Sequence, residues 1–270
     1  MSWWRELLGL KARRRRTASE APPSVTDHGV APAIRAMAVE PVVESHVALN
    51  DFAATGTARD ACYALLGEVE PDVLAPLVNP ALMGGPAWPA MRQAWNVIHR
   101  RGSTLVISNG LSDPFDPPGS DPETDRLGFG VEVYAEMRGQ PMQDLARSWL
   151  FDLIYQVSQN VAHHGQFHRL IDRHGVLSMV LEVKGLPPQW VSPDGMAGML
   201  IGLPAASVPA SFDTARGPVR LLAVTLLHPG EVAFLESSED VLGNRRILAE
   251  KLSALPGGHV NDLGRAPVVE

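Results

Sequence analysis

One cysteine, Cys62, stands in 270 residues, so the chain has no internal disulfide framework and no zinc site built on thiolates. That economy suits a reducing compartment, and a cytoplasmic location is the expectation. Excess positive charge is missing as well, since 23 Lys and Arg face 30 Asp and Glu for a formal net charge of −7. A nucleic-acid binder working by phosphate neutralisation is therefore not expected. The apolar part of the first sixteen residues is too short to span a bilayer. There is no phosphate loop and no G-x-S-x-G nucleophile elbow, and Gly128-Phe129-Gly130 supplies two glycines of a dinucleotide loop with Val133 in the third place. No cofactor is implied.

What is present falls into four stretches. Residues 1–16 place Trp3, Trp4, Leu7, Leu8 and Leu10 ahead of Arg13, Arg14, Arg15 and Arg16. The charges follow the apolar part, unlike a secretory signal. The segment reads either as a short helix that docks on the domain or on nothing, or as a basic amphipathic leader whose tryptophans and arginines touch an anionic membrane surface. Residues 17–54 read as a flexible, proline-containing linker. Residues 55–87 read as a small helical preface, opening at Thr57 as cap and stopping near Gly67, with a further short helix over Pro71–Leu77. Residues 88–270 form the main domain.

Within that domain the strand candidates are Met91–Ile98, Thr104–Ser108, Gly130–Glu136, Val176–Val183, Gly198–Leu203 and Val219–Leu227. The last is almost wholly apolar and is expected at the centre of a sheet covered on both faces. In the third, Val131, Val133 and Ala135 alternate with Glu132, Tyr134 and Glu136, the pattern of a half-buried strand. The broad apolar stripe over Met142–His164 predicts a long helix lying across the sheet and ending at Gly165. A helix opening at Pro229 and another capped by Ser238, running from Glu239 to about Leu255, close the domain. Strands and helices do not alternate strictly. The fold class is therefore α+β, with a mixed or mostly antiparallel sheet.

Two clusters invite a chemical reading. Asp113, Asp116, Asp121, Glu123 and Asp125 crowd a proline-rich loop, followed by Glu132 and Glu136; such a set suits a divalent cation, paired acid and base groups, or an acidic rim that steers a basic partner. His163, His164, His168 and His174 gather at the end of the long helix. His164 and His168 have the i, i+4 spacing of a metal pair, but Gly165 lies between them and breaks their common face. A metal-dependent hydrolase using Asp113, Asp116, His164 and His168 is the enzymatic alternative. A membrane-surface adaptor led by the first sixteen residues is the second. Trp190, in L-P-P-Q-W-V-S-P-D-G, is either a local plug or an exposed anchor for a partner.

The strings T-L-V-I-S-N-G-L-S-D-P-F-D, G-F-G-V-E-V-Y-A-E, W-L-F-D-L-I-Y-Q-V-S-Q-N-V-A-H-H-G and G-V-L-S-M-V-L-E-V together resemble the bacterial branch of the suppressor of fused domain family, over roughly Trp88 to the C-terminus. The signature positions are Gly110, Asp113, Gly128, Gly130, Trp149, Gln159, Asn160, His163, His164 and Gly165. The resemblance implies a binding module without catalysis. For the bacterial branch it implies an immunity-type protein that neutralises a protein toxin, or otherwise sequesters a protein partner. Asp113, Asp116, Glu132, Glu136 and Trp190 are the candidate partner-binding residues, with strand addition at Gly130–Glu136 or Gly198–Leu203 as the candidate mode if either lies at a sheet edge.

Overall fold

The computed structural model of the chain describes residues 49–90, 92–114, 128–139 and 144–269. In chain order they form α1 (Leu49–Leu66), β1 (Glu68–Val69), β2 (Ala94–Arg100), β3 (Ser103–Asn109), β4 (Val131–Arg138), α2 (Trp149–His164), α3 (Phe167–His174), β5 (Leu177–Glu182), β6 (Met196–Ile201), β7 (Ser211–Thr214), β8 (Gly217–Leu227), α4 (Pro229–Glu236) and α5 (Val241–Ser253). The fold is α+β: eight strands make one mostly antiparallel sheet in the order β1-β2-β3-β4-β8-β6-β5, with β7 attached to β8.

The eleven-residue strand β8 is the hub. One of its edges runs parallel to β4 through Val131↔Arg220 to Tyr134↔Ala223. Its other edge takes β7 along Gly217–Arg220 and then β6 along Val224–Leu227. The sequence expectation of a central, doubly covered strand is met, because Leu222, Val224 and Leu226 face one apolar cluster while Leu221, Ala223 and Leu227 face others.

On the first face α2 packs over β3 and β4. Leu150, Leu153, Ile154, Val157 and Val161 are buried, as its apolar stripe requires. The helix begins later than the stripe suggests. Leu145–Arg147 form a 3₁₀ turn, and Ser148 caps α2 by accepting a bond from Phe151 N at 3.2 Å. Gly165 closes it in the left-handed conformation, with φ 65°.

On the second face α1 packs against β1, β2 and β7, and the α4–α5 pair covers the β6 end of the sheet. Helix α1 starts eight residues before Thr57. That threonine lies inside it, its hydroxyl donating to Ala53 C=O at 2.9 Å. The helix expected over Pro71–Leu77 does not form. Leu74 instead makes an isolated bridge to Trp95 on the sheet, and the only helical turn in that segment is the 3₁₀ turn Pro80–Met83. The cap of α5 is Asp240, which accepts from Gly243 N at 2.8 Å, and not Ser238.

Where β4 and β8 stop pairing, the buried Asn261 is inserted between them. Its amide donates to Glu136 C=O and Val224 C=O, each at 3.0 Å, and its Oδ1 accepts from Leu226 N at 2.7 Å. No described helix is long and apolar enough to cross a membrane.

Candidate functional site

Five of the signature residues, Gly110, Asp113, Gly128, Gly130 and Gly165, meet where β3 ends and β4 begins. Strand β3 runs out into Gly110-Leu111-Ser112-Asp113, and the chain returns at Gly128-Phe129-Gly130. Gly110 holds φ 124°, and a Cβ there would lie 2.5 Å from the Ala90 Cβ. Gly128 holds φ 49°, with its Cβ direction blocked by Leu111 O and Asp113 O at 2.5 and 2.6 Å. Only glycine fits either place. Phe129 N donates to Leu111 C=O at 2.8 Å, and the Phe129 ring lies against Gly165 at the end of α2. Gly130 faces the His168 side chain of α3.

Inside this corner sits Glu132, with no exposed surface. Its carboxylate accepts from Ser108 Oγ at 2.5 Å, Ser112 Oγ at 2.7 Å, Ser112 N at 3.0 Å and Gly110 N at 3.1 Å. Arg59, sent in from α1, places Nη1 2.5 Å from Asp113 Oδ1 and 3.6 Å from Glu132 Oε1. Tyr63, one turn further along α1, donates to Ser108 C=O at 2.6 Å. Burial pushes the Glu132 carboxyl above the ordinary carboxylate value, against the pull of Arg59 and the two serines. Desolvation works against the Arg59 cation, yet Glu132 and Asp113 together raise its pKa.

Two further buried acids follow the same plan. Glu136 accepts from Ser103 Oγ at 2.5 Å and Arg100 Nη1 at 2.9 Å, with His259 Nε2 at 3.1 Å. Glu231 holds Arg265 at 2.6 and 2.7 Å and accepts from Val268 N and His228 N at 2.8 Å. Desolvation opposes ionisation at both, but these donors and cations outweigh it, and both carboxyls lie below their ordinary value.

The candidate partner-binding residues therefore divide. Glu132, Glu136 and Trp190 were expected to face a partner; all three are buried, at 0, 4 and 1% exposure. Strand β4 is covered on both faces because, on the side that the alternating pattern assigns to solvent, Arg59 of α1 closes over Glu132 while Arg100 and His259 close over Glu136. Trp190 is a plug, stacked on His228 at 3.9 Å and donating from Nε1 to Leu263 C=O at 3.2 Å, with the Arg265 guanidinium 5.4 Å from its ring. Asp113 is bound to Arg59, and Asp116 lies outside the described residues, as do Asp121, Glu123, Asp125 and the leader residues Trp3, Trp4 and Arg13 to Arg16. Strand addition at β4 or β6 is overturned by topology, since both are interior strands.

The histidines do not assemble a metal site among the described residues, where no three of His, Cys, Asp and Glu come together as ligands. His163 is exposed, with its ring 5.5 Å from that of His164. Burial and the His163 neighbour lower the His164 pKa. Asn160 donates to Gln156 C=O at 2.9 Å, and Gln159 donates to Gln93 Oε1 at 2.7 Å. Trp149, buried, opens the same helix roughly 20 Å from its other end.

A feature that sequence reasoning missed lies in the segment leading to β2. Leu77, Val78, Leu82 and Met83 are exposed by 105, 55, 79 and 79%. They ride on a braced turn. Asn79 Oδ1 accepts from Ala81 N at 3.0 Å, Pro80 takes the first helical position, Gly84 closes the turn at φ 82°, and Gly85 N returns to Pro80 C=O at 2.9 Å. The segment is tied down before the turn by the Leu74–Trp95 bridge and after it by Gln93, whose amide donates to Pro86 C=O at 3.0 Å and whose Oε1 is held by Gln159 of α2. The signal was available as N-P-A-L-M-G-G-P, a capped turn carrying large apolar residues without an amphipathic period.

No family model matches the chain, and no curated protein matches it. Among solved structures, one described as the Sufu-Fu complex crystal structure aligns with TM-score 0.48 and 15% identity, over 81% of this chain and 92% of that one. The crystal structure of Drosophila Suppressor of Fused aligns with TM-score 0.47 and 15% identity over 81% of this chain; the match spans 51% of that chain, about half its length.

Proposed function

We propose that this chain is a non-catalytic protein-binding module that takes up a protein partner on the apolar turn Leu77–Met83. One observation carries the reading: four large apolar side chains stand in water on a turn braced by its own hydrogen bonds. Exposed apolar residues gathered on a rigid support mark interaction surfaces, because little ordering entropy remains to be lost when a partner covers them. The buried acids fit this division of labour, since Glu132, Glu136 and Glu231 are already engaged by internal donors and cations.

The sequence resemblance to the bacterial suppressor of fused branch supports a finer form. In it, the partner is a protein toxin, held in a stoichiometric complex in a reducing cytoplasm and neutralised without turnover. Affinity capture from the native host with the full chain, followed by mass spectrometry and expression of the captured protein alone and together with this chain, tests it. A stoichiometric partner that is toxic alone and harmless on co-expression is the expected result. A recovered partner that Leu82→Asp/Met83→Asp binds equally well removes the apolar turn from the proposal, and substrate turnover by the purified chain overturns it entirely.

A further inference from the structure

The exposed turn has a counterpart in the same chain. Residues 1–16 carry Trp3, Trp4, Leu7, Leu8 and Leu10 together with Arg5, Lys11 and Arg13 to Arg16, against one acid, Glu6. The segment from Gly67 to Pro86 carries the four exposed apolar residues together with Glu68, Glu70 and Asp72, and contains no Lys or Arg. Apolar content matches apolar content, and the charges are opposite. Glu70 already holds His99 Nε2 at 2.6 Å, which leaves Glu68 and Asp72 as the exposed acids of the segment.

We propose that the N-terminal segment Met1–Arg16 is the resting occupant of the Leu77–Met83 turn in the same molecule. The intervening 32 residues, 17–48, reach up to roughly 100 Å when drawn out, so the tether forbids no part of the surface. A tether of this kind supplies an effective concentration on the order of millimolar. A contact with an intrinsic Kd near that value is then already half formed. Trp3 and Trp4 supply large rigid apolar area, and the basic residues are drawn to Glu68 and Asp72, the exposed acids that precede the turn in the same segment. The consequence for binding rests on the reading given under Proposed function: a partner using this turn must displace the leader, so the leader sets a threshold on capture.

The chain contains its own reporter. Of its six tryptophans, Trp88, Trp95, Trp149 and Trp190 are buried, at 6% exposure or less. A change in acrylamide quenching when the turn is altered therefore reports on Trp3 and Trp4. The full-length protein and its Trp3→Phe/Trp4→Phe variant, compared by acrylamide quenching, isolate that signal in a chain whose described core is unchanged. The expected result is a leader signal several-fold less quenchable than a free tryptophan peptide, rising toward the peptide value in Leu82→Asp/Met83→Asp and in part at high salt. Because Leu82 and Met83 touch solvent, the variant is expected to keep the wild-type far-ultraviolet circular dichroism.

A leader signal quenched like the free peptide in the wild type overturns the proposal. So does protection that survives Leu82→Asp/Met83→Asp in a folded protein, or protection that grows with protein concentration and thus comes from a second copy. The two readings fail separately. A freely quenched leader in a chain that still captures its partner through the turn removes this inference alone. A protected leader in a chain that captures nothing removes the binding reading alone.

Discussion

Arg59 and Glu132 show how a buried charge becomes an architectural part. Taking Glu132 out of water is costly, and four hydrogen bonds with one nearby cation offset that cost. Arg59→Met leaves that carboxyl and Asp113 without their cation, and a loss of about 3 kcal/mol in urea unfolding is expected. Glu132→Gln keeps an acceptor for the Gly110 and Ser112 N–H groups, so it is expected to cost less. Its pH dependence has a defined sign. A carboxyl whose folded value is raised stabilises most below its unfolded value, and that contribution is lost as pH rises through the folded value. The glutamine variant should therefore compare best with wild type at neutral pH, fall behind as pH drops through the raised folded value toward the ordinary 4.5, and keep a constant deficit below it. A gap that widens toward neutral pH would contradict this assignment. The acids themselves were visible in the sequence, spaced by four on one face of a strand. Their partners were not: Arg59, Arg100 and His259 come from distant parts of the chain, and no local pattern announces which cation will arrive.

Among the elements, β8 and α2 were legible because their patterns are strong: one is apolar on both faces, the other carries an apolar stripe with a glycine stop. Helix α1 was not. Thr55, Gly56 and Thr57 are poor helix formers, and tertiary packing of Cys62, Tyr63 and Leu66 against the sheet overrides them. Strand β4 was legible in position and misjudged in burial, since alternation describes side chains and says nothing about a helix that will cover the polar face. The glycines of the signature corner give this scale its test. Gly110→Ala must leave a left-handed backbone and separate its new methyl from Ala90, whereas Gly165→Ala meets only Phe129 at 3.7 Å. The first is expected to cost more than 2 kcal/mol and the second about 1 kcal/mol, measured by thermal and urea unfolding. Equal costs would mean that the Gly110 corner relaxes, and that its glycine is not fixed by close approach.

For the whole molecule, three buried acids tie sequence-distant pieces together: Glu132 of β4 holds α1, Glu136 of β4 holds the end of β2 and the His259 region, and Glu231 of α4 holds the tail. The last two have lowered carboxyl values, so their contribution is present above the unfolded value and lost as pH falls through the folded one. Glu132 acts in the opposite sense, but its contribution is already complete at 4.5, so below that value the two lowered carboxyls set the slope. The urea midpoint is expected to fall as pH drops below about 4.5, and the fall should be shallower in Glu136→Gln. A midpoint that rises on acidification would sink the account. Strand order was beyond sequence reasoning for a related reason. A strand's own pattern fixes its faces, while its neighbours are chosen by contacts between segments up to ninety residues apart, such as Val131 with Arg220.

That same hub strand also dictates an order of events during synthesis. The antiparallel run β2–β3–β4 can pair once residue 138 is available, and the β5–β6 hairpin once residue 201 is. Neither half pairs with the other except through β8, whose residues arrive last among the strands. Until Leu227 has emerged, β4 and β6 each wait with an unsatisfied edge, and long-range pairing of this kind is slow. The interior strands that no partner can reach in the finished protein are the exposed ones in the nascent chain, so the interval between residues 201 and 227 is when this fold is most open to mispairing.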